Sequence, residues 1–97
     1  MILEAAHLYV KPGTINDFES DLRKASPFLK NAAGYIDHEL HKCVEEADNY
    51  MLLVKWESIT DHMAHFRGSE NDQAWQLLLH KYFDKPPAVE HYVQIKL

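Results

Sequence analysis

The chain has 97 residues, a formal net charge of −5 with Lys and Arg scattered along it, and a single cysteine, Cys43. That length allows one domain, spanning residues 1–97, and an acidic chain is a poor partner for nucleic acid phosphates. No apolar run approaches the ~18 residues of a membrane span, the N-terminus lacks a basic leader, and no intrachain disulfide is possible, so a soluble protein of the reducing cytoplasm is expected.

Residues 2–10, ILEAAHLYV, alternate as a strand does. Leu3, Ala5, His7 and Tyr9 then share one face; Ile2, Glu4, Ala6, Leu8 and Val10 share the other. KPGT breaks the strand. Thr14 is placed to cap a helix, with Asp17 three residues on, and Ile15, Phe18, Leu22 and Ala25 follow at helical spacing. Pro27 suits the first turn of a further helical segment capped by Ser26 and carrying Phe28, Leu29 and Ala32.

Residues 35–44 alternate with period two, setting Ile36, His38, Leu40, Lys42 and Val44 against Tyr35, Asp37, Glu39, His41 and Cys43. EEADN is a turn and residues 50–57 a third strand, so 35–57 reads as a hairpin. Ser58 and Asp61 open a short helix with an apolar stripe of Ile59, Met63 and Phe66, ended by Gly68. SENDQ opens another helix, whose apolar face holds Trp75, Leu78, Leu79 and Tyr82. DKPP stops it, and AVEHYVQIKL is a fourth strand over 88–97.

The order β-α-β-β-α-α-β with right-handed crossovers is an α+β, ferredoxin-like plait: a four-stranded antiparallel sheet with helices on one face. The other sheet face also carries apolar residues, since Met51 and Leu53 lie opposite Leu52, Val54 and Trp56. A second copy, sheet against sheet, would cover it, so a homodimer is expected.

Seven histidines invite a metal reading. His62 and His65 have helical ligand spacing, but no HExxH or Cys/His cluster supplies a third ligand, so no metal is expected. His38 and His41 point to opposite faces of their strand, and His80 and His91 belong to no motif. The three glycines are isolated, so no phosphate-cradling loop is present.

The stretch YVKPGTINDFESDL, then KWES, AHF and PPAVEHY at their spacings, resembles the antibiotic biosynthesis monooxygenase family of dimeric α+β barrels. The resemblance covers nearly the whole chain; its most specific part is Trp56-Glu57-Ser58 with Ala64-His65-Phe66, as in quinol-oxidising members. It implies a dimer whose two sheets form a barrel, with a pocket in each subunit between sheet and helices. Many members oxidise phenolic or quinol-type substrates with O2 and no flavin, heme or metal. Heme-degrading members use an Asn on the first strand, a Trp on the short helix and a His on the next; the matching positions here are His7, Phe66 and Leu79, which argues against heme. Some polyketide-oxidising members carry an Asn four residues before the strand Trp, where this chain has Leu52.

These readings together define an expected site. His7, Tyr9, Leu52, Val54 and Trp56 would form its sheet side, and His62, His65, Phe66, Trp75 and Leu79 would lie on the helices above, with His62 the more exposed histidine of its helix. His65 is the expected base, since an imidazole titrates near working pH, with His7 the next candidate; the Trp56 indole N–H would stabilise the anion. The expected function is cofactor-independent monooxygenation of a small phenolic, quinol or enolisable substrate by O2. The alternative is a non-oxidative member that binds or isomerises a small metabolite.

Overall fold

A computed structural model describes all residues, 1–97. Strand β1 is Ile2–Tyr9, helix α1 Ile15–Lys30, strand β2 Tyr35–Lys42 and strand β3 Asn49–Trp56. A single π-helical turn, Asp61–Phe66, leads to helix α2, Glu70–Leu79, a 3₁₀ turn, His80–Tyr82, and strand β4, Ala88–Tyr92. The sheet order is β2-β3-β1-β4, antiparallel at every pairing, which is the expected α+β ferredoxin-like plait. No helix is long and apolar enough to cross a membrane.

The helices cover one sheet face, and the strand period decides which side chains meet them. Ala6, Leu8 and Val10 of the first strand segment join Tyr50, Leu52, Val54 and Trp56 of β3 in the core, closed by Phe18, Leu22, Ala25 and Leu29 of α1 and by Phe66, Leu79 and Tyr82. Phe18 is the hub, with ring centroids 5.0 Å from Tyr50 and 5.8 Å from Tyr82. Two phenols of this layer donate to α1, Tyr50 of β3 to Glu19 and Tyr82 of the 3₁₀ turn to Asp21.

Local details depart from the pattern at five places. Thr14 makes no side-chain cap; its hydroxyl instead donates to the Lys11 carbonyl at 2.7 Å. Pro27 does not start a new segment but lies inside α1, where the Ser26 hydroxyl turns back to the Leu22 carbonyl at 3.0 Å rather than capping anything. A bulge between Tyr35 and Asp37 reverses the phase of β2, so Tyr35 joins His38 on the helix side, its hydroxyl against His38 Nδ1. Strand β4 ends at Tyr92, five residues earlier than the alternation of 88–97 implies, leaving Val93, Ile95 and Leu97 exposed.

The fifth departure shapes the site. Residues 61–66 are wound as a π-turn, and the Arg67 N–H donates to the His62 carbonyl at 2.9 Å across five residues. An i→i+5 bond is a looser winding than the 3.6 residues per turn of an α-helix. The stripe Ile59–Met63–Phe66 is therefore broken: Ile59 and Met63 are exposed, and His62 and Phe66 turn inward.

Candidate active site

The short helix is held over the end of β3 by a compact set of contacts. The Ser58 hydroxyl donates to the Asp61 carboxylate at 2.9 Å, and the Asp61 N–H donates back to Ser58 Oγ. Gly34 lies beneath this carboxylate at φ +79°, and an added Cβ there would overlap it. The Gly34 carbonyl in turn accepts from the Glu57 N–H at 2.8 Å. The strand can thus run straight from Trp56 into the π-turn.

That placement stacks the His62 imidazole on the Trp56 indole, with centroids 5.2 Å apart and planes 18° apart. Phe66 tilts against the same indole at 5.5 Å. Trp56 is fully buried, and its Nε1–H donates to Glu4 Oε1 at 2.9 Å. His62 Nε2 lies 3.3 Å from the same oxygen, and His62 Nδ1 is 2.7 Å from His91 Nε2. Glu4 and His91 are cross-strand partners on β1 and β4. A neutral His62 protonated at Nε2, toward the carboxylate, accepts at Nδ1 from His91 Nε2–H, which satisfies the chain Trp56–Glu4–His62–His91 from end to end. The three titratable groups form a line rather than converging on a point, the arrangement of a hydrogen-bond relay and not of a metal ligand set.

Burial governs the protonation of this line. It raises the Glu4 carboxyl above the usual range, against the opposing Trp56 hydrogen bond and the Arg67 charge. It lowers His62 to about 4, helped by the nearby His91 and Arg67 charges, and it lowers His91 as well. Near neutral pH both imidazoles are uncharged, and Glu4 is a stronger base than a solvated carboxylate.

Glu4 and His62 form one wall of a cavity of about 100 Å³ between sheet and helices. Leu52 lies on its sheet side; Phe66, Trp75, Leu79 and Phe83 make the apolar enclosure; Arg67, Asp72 and Gln76 are at the mouth. Of the expected site residues, Leu52, His62, Phe66, Trp75 and Leu79 therefore meet in one cavity, with Trp56 directly beneath. Val54 lies next to them in the core without lining the cavity.

Three expected residues are elsewhere. His65 is on the outer side of the π-turn, its side chain 58% exposed and its Nδ1 3.2 Å from Asp61 Oδ1. His62, expected as the more exposed of the pair, is instead the buried one: it lies three residues after Ile59 and four before Phe66, on the side of the turn that faces Trp56. His7 and Tyr9 are on the open sheet face, His7 opposite Met51, since alternation fixes them opposite Glu4, Ala6 and Leu8. The Trp56 N–H is already engaged by Glu4 and is not free to meet an anion directly.

The residues that sequence reasoning passed over are Glu4, His91 and Arg67. Glu4 had a visible signal, a carboxylate on the face of β1 otherwise made of Ile2, Ala6, Leu8 and Val10. His91 had none, because only the β1–β4 register brings it to Glu4.

The structure is thus a ferredoxin-like α+β domain with a buried carboxylate and imidazole at the wall of a small cavity. The chain belongs to the antibiotic biosynthesis monooxygenase family, whose model matches residues 1–77. It is 44% identical over 95 residues to the uncharacterized protein YczJ of Bacillus subtilis (strain 168), covering 98% of this chain and 100% of that one. It also resembles the crystal structure of a putative antibiotic biosynthesis monooxygenase from Bordetella bronchiseptica, with 36% identity, a TM-score of 0.95, and coverage of 98% and 97% of the two chains. SnoaB, a cofactor-independent oxygenase from Streptomyces nogalater, shares the fold at a TM-score of 0.84 with 12% identity, over 99% of this chain and 94% of that one.

Proposed function

We propose that the chain is a cofactor-independent monooxygenase that oxidises a small phenolic, quinol or otherwise enolisable substrate with O2, using Glu4 as the base. The observation that carries this reading is the state of Glu4. Its Oε1 is engaged by Trp56 and His62, Oε2 makes no hydrogen bond within the chain, and Glu4 lines the cavity.

Glu4 removes a proton from the activated C–H or O–H, and the resulting anion passes one electron to O2. The substrate radical and superoxide combine to form a C–O bond. The peroxide recovers the proton from Glu4 and then loses water, so an activated CH2 becomes C=O, with one oxygen atom in the product and one in water. The aromatic enclosure keeps bulk water from the radical pair. Neutral His62, stacked on Trp56, fixes the carboxylate without competing for the substrate proton.

The test is oxygen uptake by chelator-treated, chromophore-free protein on single-ring phenol-, quinol- and enol-type compounds, with ¹⁸O2 as the source. Uptake with one labelled oxygen in the product supports the reading. The same carboxylate could instead shuttle a proton within a metabolite; solvent deuterium exchange into an enolisable compound under nitrogen, with no uptake in air, would establish that non-oxidative role and reject oxygenation.

We further propose a homodimer through the open sheet face. Leu3, Ala5, Met51 and Leu53 remain only half-buried there, with no helix over them, and a second sheet is the simplest cover. A lone cysteine without a disulfide partner agrees with a cytoplasmic setting.

A further inference from the structure

The cavity is asymmetric in charge. Its wall carries the Glu4 carboxyl and neutral His62, and its enclosure is apolar and aromatic. The single cation of its lining is Arg67, an exposed residue and therefore at the mouth. Arg67 belongs to none of the ion pairs of the chain. The neighbouring anion, Asp72, is already engaged: its Oδ2 accepts from the Gly68 N–H at 2.8 Å and its Oδ1 from the Gln76 amide at 3.5 Å. The backbone of Arg67 is fixed, because its N–H closes the π-turn on the His62 carbonyl. The turn that orients His62 over Trp56 thus also sets a guanidinium at the cavity entrance.

From this arrangement we infer that the cavity takes a small aromatic substrate bearing a carboxylate, and that Arg67 selects it. The inference rests on the cavity being the substrate site. The ring enters the space between Leu52, Phe66, Trp75 and Leu79; at about 100 Å³ this is smaller than the ~150 Å³ that holds a benzene in an engineered core, so one ring fills it and its carboxylate stays at the mouth. The carboxylate meets the guanidinium at the mouth in a bidentate pair, the geometry Arg favours. This anchoring directs the ring's acidic group inward to Glu4, away from the carboxylate end, so two like charges do not meet. A neutral phenol would lack that orientation.

The test is a matched pair of ligands, gentisate (2,5-dihydroxybenzoate) and its methyl ester, titrated anaerobically against the full chain by calorimetry and by the Trp75 indole NMR signal. Gentisate should bind at least about tenfold more tightly than the ester. Arg67→Gln should remove that preference while leaving ester affinity unchanged; Arg67→Lys should retain part of it. A purely structural Arg67 would instead weaken both ligands together. Equal affinities in the parent chain, a preference that survives Arg67→Gln, or no binding of either compound would overturn the inference. Oxygen consumption plays no part in this measurement, so the inference can fail while the oxygenase reading stands, or the reverse.

Discussion

The Trp56 indole donates to Glu4 Oε1 at 2.9 Å across the β1–β3 pairing, and neither residue has more than a trace of solvent contact. The indole supplies both a surface for His62 and a donor for a carboxylate that burial would otherwise disfavour. Trp56→Phe removes the donor together with part of a fully buried ring. It should destabilise the fold by about 2–4 kcal/mol, through the under-satisfied acceptor and the cavity left behind. Urea midpoints should show a smaller loss at pH 4, where a protonated Glu4 needs the donor less. An equal loss at both pH values would mean that packing alone explains Trp56.

Glu4→Gln separates the base from the structural acceptor. The amide oxygen still receives the Trp56 N–H, so stability should change by no more than ~1 kcal/mol. Loss of the proton acceptor should lower turnover by about 10²–10⁴-fold on any substrate the parent chain oxidises. Retained turnover would remove Glu4 from the chemistry.

The two histidines of the short helix give opposite expectations. His65→Ala cuts only an exposed pair with Asp61, so stability should fall by no more than ~0.5 kcal/mol, with turnover unchanged. His62→Ala removes a buried ring stacked on Trp56 and leaves the cavity wall open, and should cost about 2–3 kcal/mol as well as activity. Thermal melts and steady-state rates of the two variants check the contrast; the reverse order would restore His65 as the base.

The element order and the core stripe of α1 were legible because strands and helices carry strong periods, as Phe18, Leu22, Ala25 and Leu29 illustrate. The side assignments failed for two different reasons. One bulge moved Tyr35 across the sheet and leaves no mark in hydrophobic spacing, whereas His62, three residues after Ile59 and four before Phe66, was on the apolar side by spacing and was passed over for His65. His7 and Tyr9 are a different case. Their alternation with Glu4, Ala6 and Leu8 was readable, and placing them with Leu52 and Val54 went against it. The Glu4–His91 pairing is a matter of long-range register, which no local pattern carries.

His62 makes a pH-dependent contribution with a definite sign. Its value of about 4 in the folded chain lies below the unfolded 6.5, so the unfolded state gains the proton first. The contribution is fully present above pH 6.5 and is lost as pH falls toward 4, amounting to roughly 3 kcal/mol at most. Glu4, shifted upward, has the opposite sense: stability tied to its neutral form is lost as pH rises above its unfolded value of 4.5. The comparison that isolates His62, amid His91, Arg67, Asp72 and Glu4, is wild type against His62→Asn. The stability gap between them should narrow steadily from pH 7 to pH 4. A gap constant with pH, or an imidazole NMR titration midpoint near 6.5, would contradict the buried neutral ring.

The open sheet face provides the last expectation. Leu53 pairs with Ala5 on one side and Glu39 on the other, and its side chain points away from the helices. In an isolated chain an aspartate there would sit in water and change little, within about 0.5 kcal/mol. In a sheet-to-sheet dimer it would be an unpaired buried charge near the interface centre, and near its own symmetry mate, at a cost of several kcal/mol. Leu53→Asp should therefore turn a dimer into a folded monomer, read by sedimentation velocity at micromolar concentration, while circular dichroism stays unchanged. His62, Glu4 and the cavity face the other side of the sheet, so ligand binding by the monomer should persist unless the partner copy also braces the site. A parent chain that already sediments as a monomer would reject the dimer and leave the apolar face to another cover.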